Sequence, residues 1–281
     1  ITFYSTDIDD VERIIKEEFE IDYKNSIDKR KSMDPDRFGY MSLHYIVSLN
    51  KSRSKLPEYS DFSKLKFEIQ IRTILQHSWA EIEHKLGYKS NSSMPVEIRR
   101  LFSILSGTLE LVDNEFVNIK GAIYDYDKGV RDNVLNKTTD EILINEISFI
   151  ALIDLDDKLE SLYLKYSKAL DIKDVARDKA ADIADSHVTK GVAIINSLGF
   201  HTISELQSLI ASFDMDLTLD FFKKRHLGGA VEYVMKYTFF MLCMYIDFFK
   251  KNRTLAPAIK ELPTLEPFNS ELEAYFSARE N

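Results

Sequence analysis

Short segments in which apolar and polar residues alternate are confined to the first part of the chain. Residues 64–72 show this alternation most clearly, with Phe67, Ile69 and Ile71 separated by polar positions. A period of two predicts a β-strand whose polar side chains all project from one face. The polar positions of this strand are Lys66, Glu68, Gln70 and Arg72. Residues 41–49 alternate in the same way, so the pattern predicts a sheet with one polar face.

Helical spacing dominates the rest of the chain. From residue 96 to about residue 121, apolar residues recur at steps of three or four, which predicts one long helix. Further helices are predicted within residues 140–170 and at 173–197, 204–213, 229–250 and 270–278. Gly199 follows one of these segments, and glycine is the usual residue of a helix C-terminus. We therefore expect the helix before it to end there.

This change in pattern predicts two domains of different class. Residues 1–124 should form an α+β domain, with a mixed sheet flanked by helices. Residues 140–281 should form an all-helical domain. The polar segment between them, residues 125–139, is rich in Asn, Asp and Lys and is the candidate linker. The chain opens with the strand-like sequence ITFY, so we expect the natural protein to continue upstream of Ile1.

Composition narrows the classes of function. The formal net charge of −9 excludes a protein that coats nucleic acid by bulk charge, although it allows a local basic groove. The single cysteine, Cys243, excludes an intramolecular disulfide and a cysteine-based zinc site, and it favours a reducing, cytoplasmic location. The most apolar run, residues 237–249, is too short to span a membrane, so no membrane association is expected.

Two sets of residues add candidate chemistry to the polar strand. His77, Glu81 and His84 are spaced so that they share one face of a helix. A solvated face is the first interpretation, polar contacts to a ligand the second, and a metal site the third. Gly39 precedes Tyr40 at the start of a predicted strand, where the ring either stacks on a nucleobase or packs in the core.

Three ordered motifs resemble those of the RelA/SpoT-type alarmone synthetases. Residues 39–44 (GYMSLH) resemble the guanine-binding loop of that family, and residues 67–73 (FEIQIRT) resemble its E-[IV]-Q-I-R-T strand. Residues 79–89 (WAEIEHKLGYK) are similar to a helix of its small, single-function members. The resemblance covers about residues 1–120, and residues 130–281 show none.

The resemblance implies a nucleotidyltransferase-like fold and a pyrophosphokinase activity. The family moves the β,γ-pyrophosphate of ATP to the ribose 3′-OH of GDP or GTP, which releases AMP and makes (p)ppGpp. By this resemblance Tyr40 stacks on guanine, and His44 contacts the phosphate or ribose of the acceptor. Glu68 binds Mg²⁺ or accepts the 3′-OH proton.

The same resemblance implies roles for the residues around these three. Gln70 and His77 line the acceptor pocket, and Arg72 either joins them or anchors the turn from strand to helix. The second Mg²⁺-binding carboxylate of the family lies upstream of the position of Ile1. Four basic residues are candidate phosphate contacts or parts of a solvated run, and these are Lys29, Arg30, Lys31 and Arg37.

Two departures from the family pattern leave the acceptor open. Residues 36–38 read DRF where the family has Lys-Pro-Asn, and Met41 replaces a basic or amide residue. One alternative is therefore a toxin-type pyrophosphokinase that modifies the 3′-terminal adenosine of tRNA. The other is a catalytically inactive, nucleotide-binding sensor. Further expected partners are a second copy of the chain and a regulator bound by the C-terminal helices.

Overall fold

A computed structural model of the 281-residue chain describes residues 1–32, 42–87, 95–170, 181–224 and 236–280. The chain divides into two compact units, Ile1–Ile123 and Tyr124–Asn281. The first unit combines a small sheet with helices, and the described part of the second consists of helices and the segments that connect them. The expected α+β class, followed by a helical region, is confirmed.

The described part of the first unit contains four strands and the helices around them. Two 3-10 turns, at Arg53–Lys55 and Pro57–Phe62, lie in the connection between the third and fourth strands. In chain order the other elements are α1 (Asp7–Glu18), β1 (Phe19–Ile21), β2 (Ile27–Asp28), α2 (Lys29–Ser32), β3 (Leu43–Leu49), β4 (Phe67–Ile71), α3 (Ile74–Gly87) and α4 (Val96–Asn136).

Strand β3 is the centre of the sheet. It pairs with β1 and β2 along one edge and with β4 along the other, and all three pairings are antiparallel. The described strands of the expected mixed sheet are therefore antiparallel, and one isolated parallel bridge, between Thr2 and Thr73, lies just beyond the end of β4. The long pairing of β3 with β4 fixes which side chains of the two strands lie next to each other.

One face of this sheet is buried against α1. Leu43, Tyr45 and Val47 of β3 are buried, as the alternation of residues 41–49 predicts. They pack with Ile8 and Ile15, which lie on one side of α1. Burial of such apolar side chains is the main favourable term in folding. The opposite face of the sheet is therefore left for the polar residues of β3 and β4.

Helix α4 is longer than the sequence predicted. We expected its end near residue 121 and a linker at residues 125–139, but the helix continues to Asn136 and the boundary between the two units falls within it. Asp127 and Arg131 form an i, i+4 ion pair of 2.9 Å in this polar segment, which supports the helix. Two of its apolar side chains are buried in the second unit, and these are Val130 and Val134. The candidate linker is thus largely helical.

The second unit packs its helices around a large apolar core. Its helices are α5 (Glu146–Leu155), α6 (Asp157–Leu170), α7 (Ala181–Ser197), α8 (Ile203–Ser212), α9 (Met215–Lys224), α10 (Lys236–Asn252), α11 (Ala256–Glu261) and α12 (Glu266–Glu280). Phe239 and Phe240 of α10 are completely buried, and Phe240 meets the ring of Phe149 at 5.4 Å. None of the described helices combines the length and apolar content that a membrane crossing requires.

Capping interactions define helix ends in this unit. Thr202 accepts a hydrogen bond from the backbone of Glu205, whose side chain bonds back to the Thr202 N–H. Such reciprocal pairs satisfy two backbone donors that a helix N-terminus leaves open. Gly199 has φ +90°, and it terminates α7 as expected.

Candidate active site

The register of β3 and β4 brings two of the sequence motifs together. His44 lies opposite Gln70, and Ile46 lies opposite Glu68. Residues that face each other in an antiparallel pair point to the same side of the sheet. His44, Glu68 and Gln70 therefore share the face opposite to the one that α1 covers.

The polar side chains on this face form a chain of hydrogen bonds, which we call the polar row (His44, Glu68, Gln70 and Arg72). The Nδ1 atom of His44 lies 2.7 Å from Oε1 of Glu68. The other carboxylate oxygen of Glu68 accepts a hydrogen bond of 2.9 Å from Nε2 of Gln70. The Nη2 group of Arg72 donates to Oε1 of Gln70. The strand thus presents an acid whose orientation is fixed from two sides.

The electrostatics of the polar row keep Glu68 ionised. Its pKa is lowered, first by the hydrogen bond from Gln70 and then by the bond from His44, while partial burial opposes both. Both bonds favour the charged carboxylate because they end on its oxygens. The side chain of Glu68 is 42% exposed. A charged and accessible carboxylate is therefore available to a ligand at this face.

Helix α3 begins directly after the polar row. The Thr73 hydroxyl accepts a hydrogen bond from the Gln76 N–H, and the Gln76 side chain accepts one from the Thr73 N–H. His77 follows on the first turn, and its Nδ1 atom lies 4.0 Å from Oε1 of Glu81. The predicted shared helix face of His77 and Glu81 is present, but the contact found for His77 is within its own helix.

The predicted basic cluster does not reach the polar row through Arg30. The guanidinium of Arg30 bonds to the carboxylates of Asp28, Asp9 and Glu12. Glu12 in turn accepts a hydrogen bond from the Tyr45 hydroxyl on the α1 face of the sheet. Arg30 is therefore held on the face opposite to Glu68, where carboxylates already neutralise its charge.

Several of the expected contacts lie outside the described residues. Tyr40 and Arg37 fall in the gap between residues 32 and 42, and the side chain of Lys31 is likewise outside the description. For Lys29, the backbone N–H donates to the carbonyl of Ser42, which places it beside the start of β3. The roles of these four positions stay predictions.

The donor set of the polar row fits Mg²⁺ only in combination with other ligands. Within the described ranges, no group of three or more His, Cys, Asp and Glu side chains could hold a metal ion, and this includes the face of His77, Glu81 and His84. Each oxygen of Glu68 accepts one hydrogen bond and keeps a second lone pair. Because Mg²⁺ commonly binds one or two carboxylates together with waters and substrate phosphates, Glu68 fits as one of its ligands.

Sequence reasoning missed one buried polar residue beside this site. Asp113 of α4 accepts a hydrogen bond of 2.7 Å from the Thr73 hydroxyl. It lies on the same side of α4 as Phe102 and Leu109, which are partly buried. A carboxylate on the more buried side of an otherwise amphipathic helix is the signal that could have indicated it.

Comparison with known proteins finds similarities to the first unit. A family model described as the region found in RelA / SpoT proteins matches residues 1–93. The GTP pyrophosphokinase YwaC of Bacillus subtilis (strain 168) is 29% identical over 120 residues, which is 43% of this chain and 54% of that protein. YjbM, a GTP pyrophosphokinase of the same strain, is 32% identical over 85 residues, or 30% of this chain and 38% of that protein.

The similarity to the RelA/SpoT region is therefore confined to residues 1–93 of this chain. It spans about half the length of one curated relative, at 54%, and less of the other, at 38%. The crystal structure of small alarmone synthetase 2 from Bacillus subtilis is 28% identical with a TM-score of 0.36, and the match covers 43% of this chain and 62% of that one. The family model ends at residue 93, so it assigns nothing to the second unit.

Proposed function

We propose that the protein is a pyrophosphokinase that transfers the β,γ-pyrophosphate of ATP to the ribose 3′-OH of GDP or GTP. The match of residues 1–93 to the RelA/SpoT region supports this class of reaction. Two curated relatives named GTP pyrophosphokinase support it further. The products are AMP and (p)ppGpp.

The observation that carries the proposal is the fixed carboxylate of Glu68. His44 bonds one of its oxygens and Gln70 bonds the other, so the side chain is held in one orientation while it stays accessible. A transfer reaction gains most from groups that are already in place before the substrates bind. Glu68 is the only carboxylate of the polar row, and we assign it the central role in the transfer reaction.

The lowered pKa of Glu68 indicates what this role is. An efficient general base has a pKa near the working pH, and the hydrogen bonds from Gln70 and His44 move the pKa of Glu68 away from that range. Phosphoryl transfer passes through a loose transition state that needs little proton abstraction. We therefore assign Glu68 to orienting the 3′-hydroxyl and to binding Mg²⁺, in preference to strong base catalysis.

The other members of the polar row support Glu68. His44 donates to it when its Nδ1 carries the proton, and its position at the row also allows a contact to the acceptor. Gln70 forms hydrogen bonds with both Glu68 and Arg72, and so connects these two side chains. Arg72 orients Gln70, and its two expected roles, a contact to the acceptor and an anchor of the turn from strand to helix, stay predictions. When bound, Mg²⁺ supplies positive charge that offsets the charge of the polyphosphate.

The acceptor is the finer part of the proposal. Tyr40 stacks on guanine in this account, and His77 stays a candidate contact near the start of α3. The test incubates the natural full-length protein with γ-labelled ATP and Mg²⁺ and offers GDP, GTP and bulk tRNA in parallel. Label on GDP or GTP is expected. Label on tRNA alone would replace the acceptor, and binding of nucleotide with no transfer to any acceptor would favour the inactive sensor.

A further inference from the structure

Asp113 is a buried carboxyl in direct contact with Thr73, the residue that follows the polar row in the chain. Asp113 is 4% exposed, and its Oδ2 atom accepts a hydrogen bond of 2.7 Å from the Thr73 hydroxyl. Within the described residues its Oδ1 atom is buried and has no hydrogen-bond partner. Thr73 is itself completely buried and comes directly after Arg72. The contact therefore joins α4 to the point where β4 passes into α3.

Thr73 is the centre of several bonds at this point. Its hydroxyl donates to Asp113 and accepts from the Gln76 N–H, which uses both its proton and a lone pair. Thr2 holds the neighbouring peptides, because its N–H donates to the Arg72 carbonyl at 2.8 Å and its carbonyl accepts from the Ile74 N–H at 3.0 Å. The backbone from Arg72 to Ile74 is therefore bonded from three directions.

A carboxyl is a costly choice for packing alone at this position. Burial raises the pKa of Asp113, and the Thr73 bond offsets this only in part. A buried polar oxygen without a partner also costs stability, whereas an apolar side chain of similar size would avoid both penalties. An apolar side chain, however, could not accept a hydrogen bond from the Thr73 hydroxyl and thereby fix the orientation of that hydroxyl.

We propose that Asp113 is a positioning residue for the transfer reaction. Through Thr73 it fixes the junction between β4 and α3, and so the place from which Arg72 reaches Gln70 and Gln70 reaches Glu68. This inference rests on the proposed function, since the row it positions is the proposed catalytic site. Misplacement of a reacting group by about 1 Å can cost about a hundredfold in rate, so a distant contact of this kind is measurable.

The test compares variants that break the contact with variants that keep it. Asp113→Leu removes the acceptor of the hydrogen bond, and Thr73→Val removes its donor. Asp113→Asn keeps an acceptor oxygen, and Thr73→Ser keeps a hydroxyl donor. We expect the first two to lower kcat by about tenfold or more with little change in KM for ATP, and the second two to stay within about threefold of wild type. The double variant Asp113→Leu/Thr73→Val should lose no more than Thr73→Val alone, because Thr73→Val already lacks the bond to Asp113.

A matched control removes another contact of α4 in the same unit. Lys120→Met breaks the ion pair of 3.1 Å between Lys120 and Asp7, neither of which belongs to the polar row. Its kcat should be unchanged. Fluorescence of Trp79, the single tryptophan of the chain, verifies that each variant is folded in the first unit. If Asp113→Leu does not fold, Thr73→Val against Thr73→Ser makes the same comparison.

A second readout is independent of activity. The side-chain amide signal of Gln70 in an NMR spectrum reports whether its bond to Glu68 persists, and we expect it to change in Asp113→Leu and Thr73→Val but not in Lys120→Met. Wild-type kcat and an unchanged Gln70 signal in folded Asp113→Leu and Thr73→Val proteins would overturn the positioning role. An inactive wild type with a Gln70 signal that responds to Asp113→Leu would instead overturn the proposed function alone.

Discussion

The Nδ1 atom of His44 and the Oε1 atom of Glu68 lie 2.7 Å apart across the pair of strands β3 and β4. The two residues are diagonal neighbours, since His44 is directly opposite Gln70 and Glu68 is two residues away. Long side chains on one face of an antiparallel pair can meet across such diagonals. This contact joins the motif that contains His44 to the motif that contains Glu68 and Gln70, and it gives the site its shape.

The bond from His44 should contribute to the rate through the orientation of Glu68. His44→Ala removes the donor, and we expect kcat to fall by about tenfold because the carboxylate is then held from one side only. Asn at this position is the matched variant, since its amide nitrogen can replace Nδ1 as a donor, and it should retain more activity than Ala. Steady-state kinetics on both variants makes the comparison. Equal activity of His44→Ala and wild type would contradict the role of the bond.

The aromatic ring at position 40 should determine acceptor affinity. Tyr40→Ala is expected to weaken binding of GDP by about 1–3 kcal/mol, which is the usual contribution of a base stacked on an aromatic side chain. Tyr40→Phe keeps the ring and should bind as wild type does. Isothermal titration calorimetry with GDP measures both. If the Ala variant binds GDP as tightly as the Phe variant, the assignment of the glycine loop to the base is wrong.

The cluster around Glu12 should make the first unit sensitive to acid. Burial by itself would raise the pKa of Glu12, but hydrogen bonds from Lys16, Tyr45 and Arg30 lower it from 4.5 to about 2. A depressed carboxyl pKa stabilises the folded state above the unfolded value, and this stabilisation is lost as the pH falls from about 4.5 toward about 2. Its size is about 2–3 kcal/mol at neutral pH.

Glu12→Gln should therefore be less stable than wild type at pH 7, and this difference in the free energy of unfolding should shrink by about half or more at pH 3, which lies between the two pKa values. Glu17→Gln is the control, since Glu17 is an exposed residue of the same helix whose ion pair with Arg13 is 3.6 Å long. Urea unfolding followed by the fluorescence of Trp79 measures the first unit separately from the second. A difference between wild type and Glu12→Gln that stays constant from pH 7 to pH 3 would contradict the assigned pKa.

Two helical glycines of the second unit should respond in opposite directions to the same substitution. A Cβ at Gly129 in α4 would meet nothing within 4 Å, so Gly129→Ala should stabilise the unit by about 1 kcal/mol through helix propensity. A Cβ at Gly191 in α7 would lie 2.5 Å from the Tyr237 hydroxyl. That hydroxyl donates to the His187 carbonyl at 2.7 Å, so it cannot move without loss, and Gly191→Ala should destabilise. Thermal unfolding by circular dichroism tests the pair, and a shift of the same sign in both variants would contradict this reading of the packing.

The sequence predicted what depends on local pattern. Strict alternation predicted the polar face of β4 and the buried face of β3, because successive side chains of a strand point to opposite faces. Helical spacing and Gly199 likewise predicted the end of α7, where the glycine has φ +90°. These features follow from neighbouring residues, and a single sequence is sufficient for them.

The contacts between distant residues could not be predicted. The bond between Thr73 and Asp113 joins residues 40 positions apart, and no local pattern specifies such a pairing. Arg30 was read as a candidate phosphate contact because it lies in a basic run, but the folded sheet places Asp28 and Glu12 around it. The predicted end of α4 was also wrong, because Val130 and Val134, which are buried beyond residue 121, support the continuation of the helix.

The most direct test of the account is the rate of pyrophosphate transfer by Glu68→Gln beside that of Glu20→Gln. Glu20 lies on β1 in the same sheet, opposite Ser48, and is an exposed carboxylate outside the polar row. With γ-labelled ATP, Mg²⁺ and saturating GDP, we predict that Glu68→Gln transfers no detectable label, while Glu20→Gln matches wild type and both proteins unfold at the same temperature. Transfer by folded Glu68→Gln at the wild-type rate would contradict the assignment of the polar row as the active site.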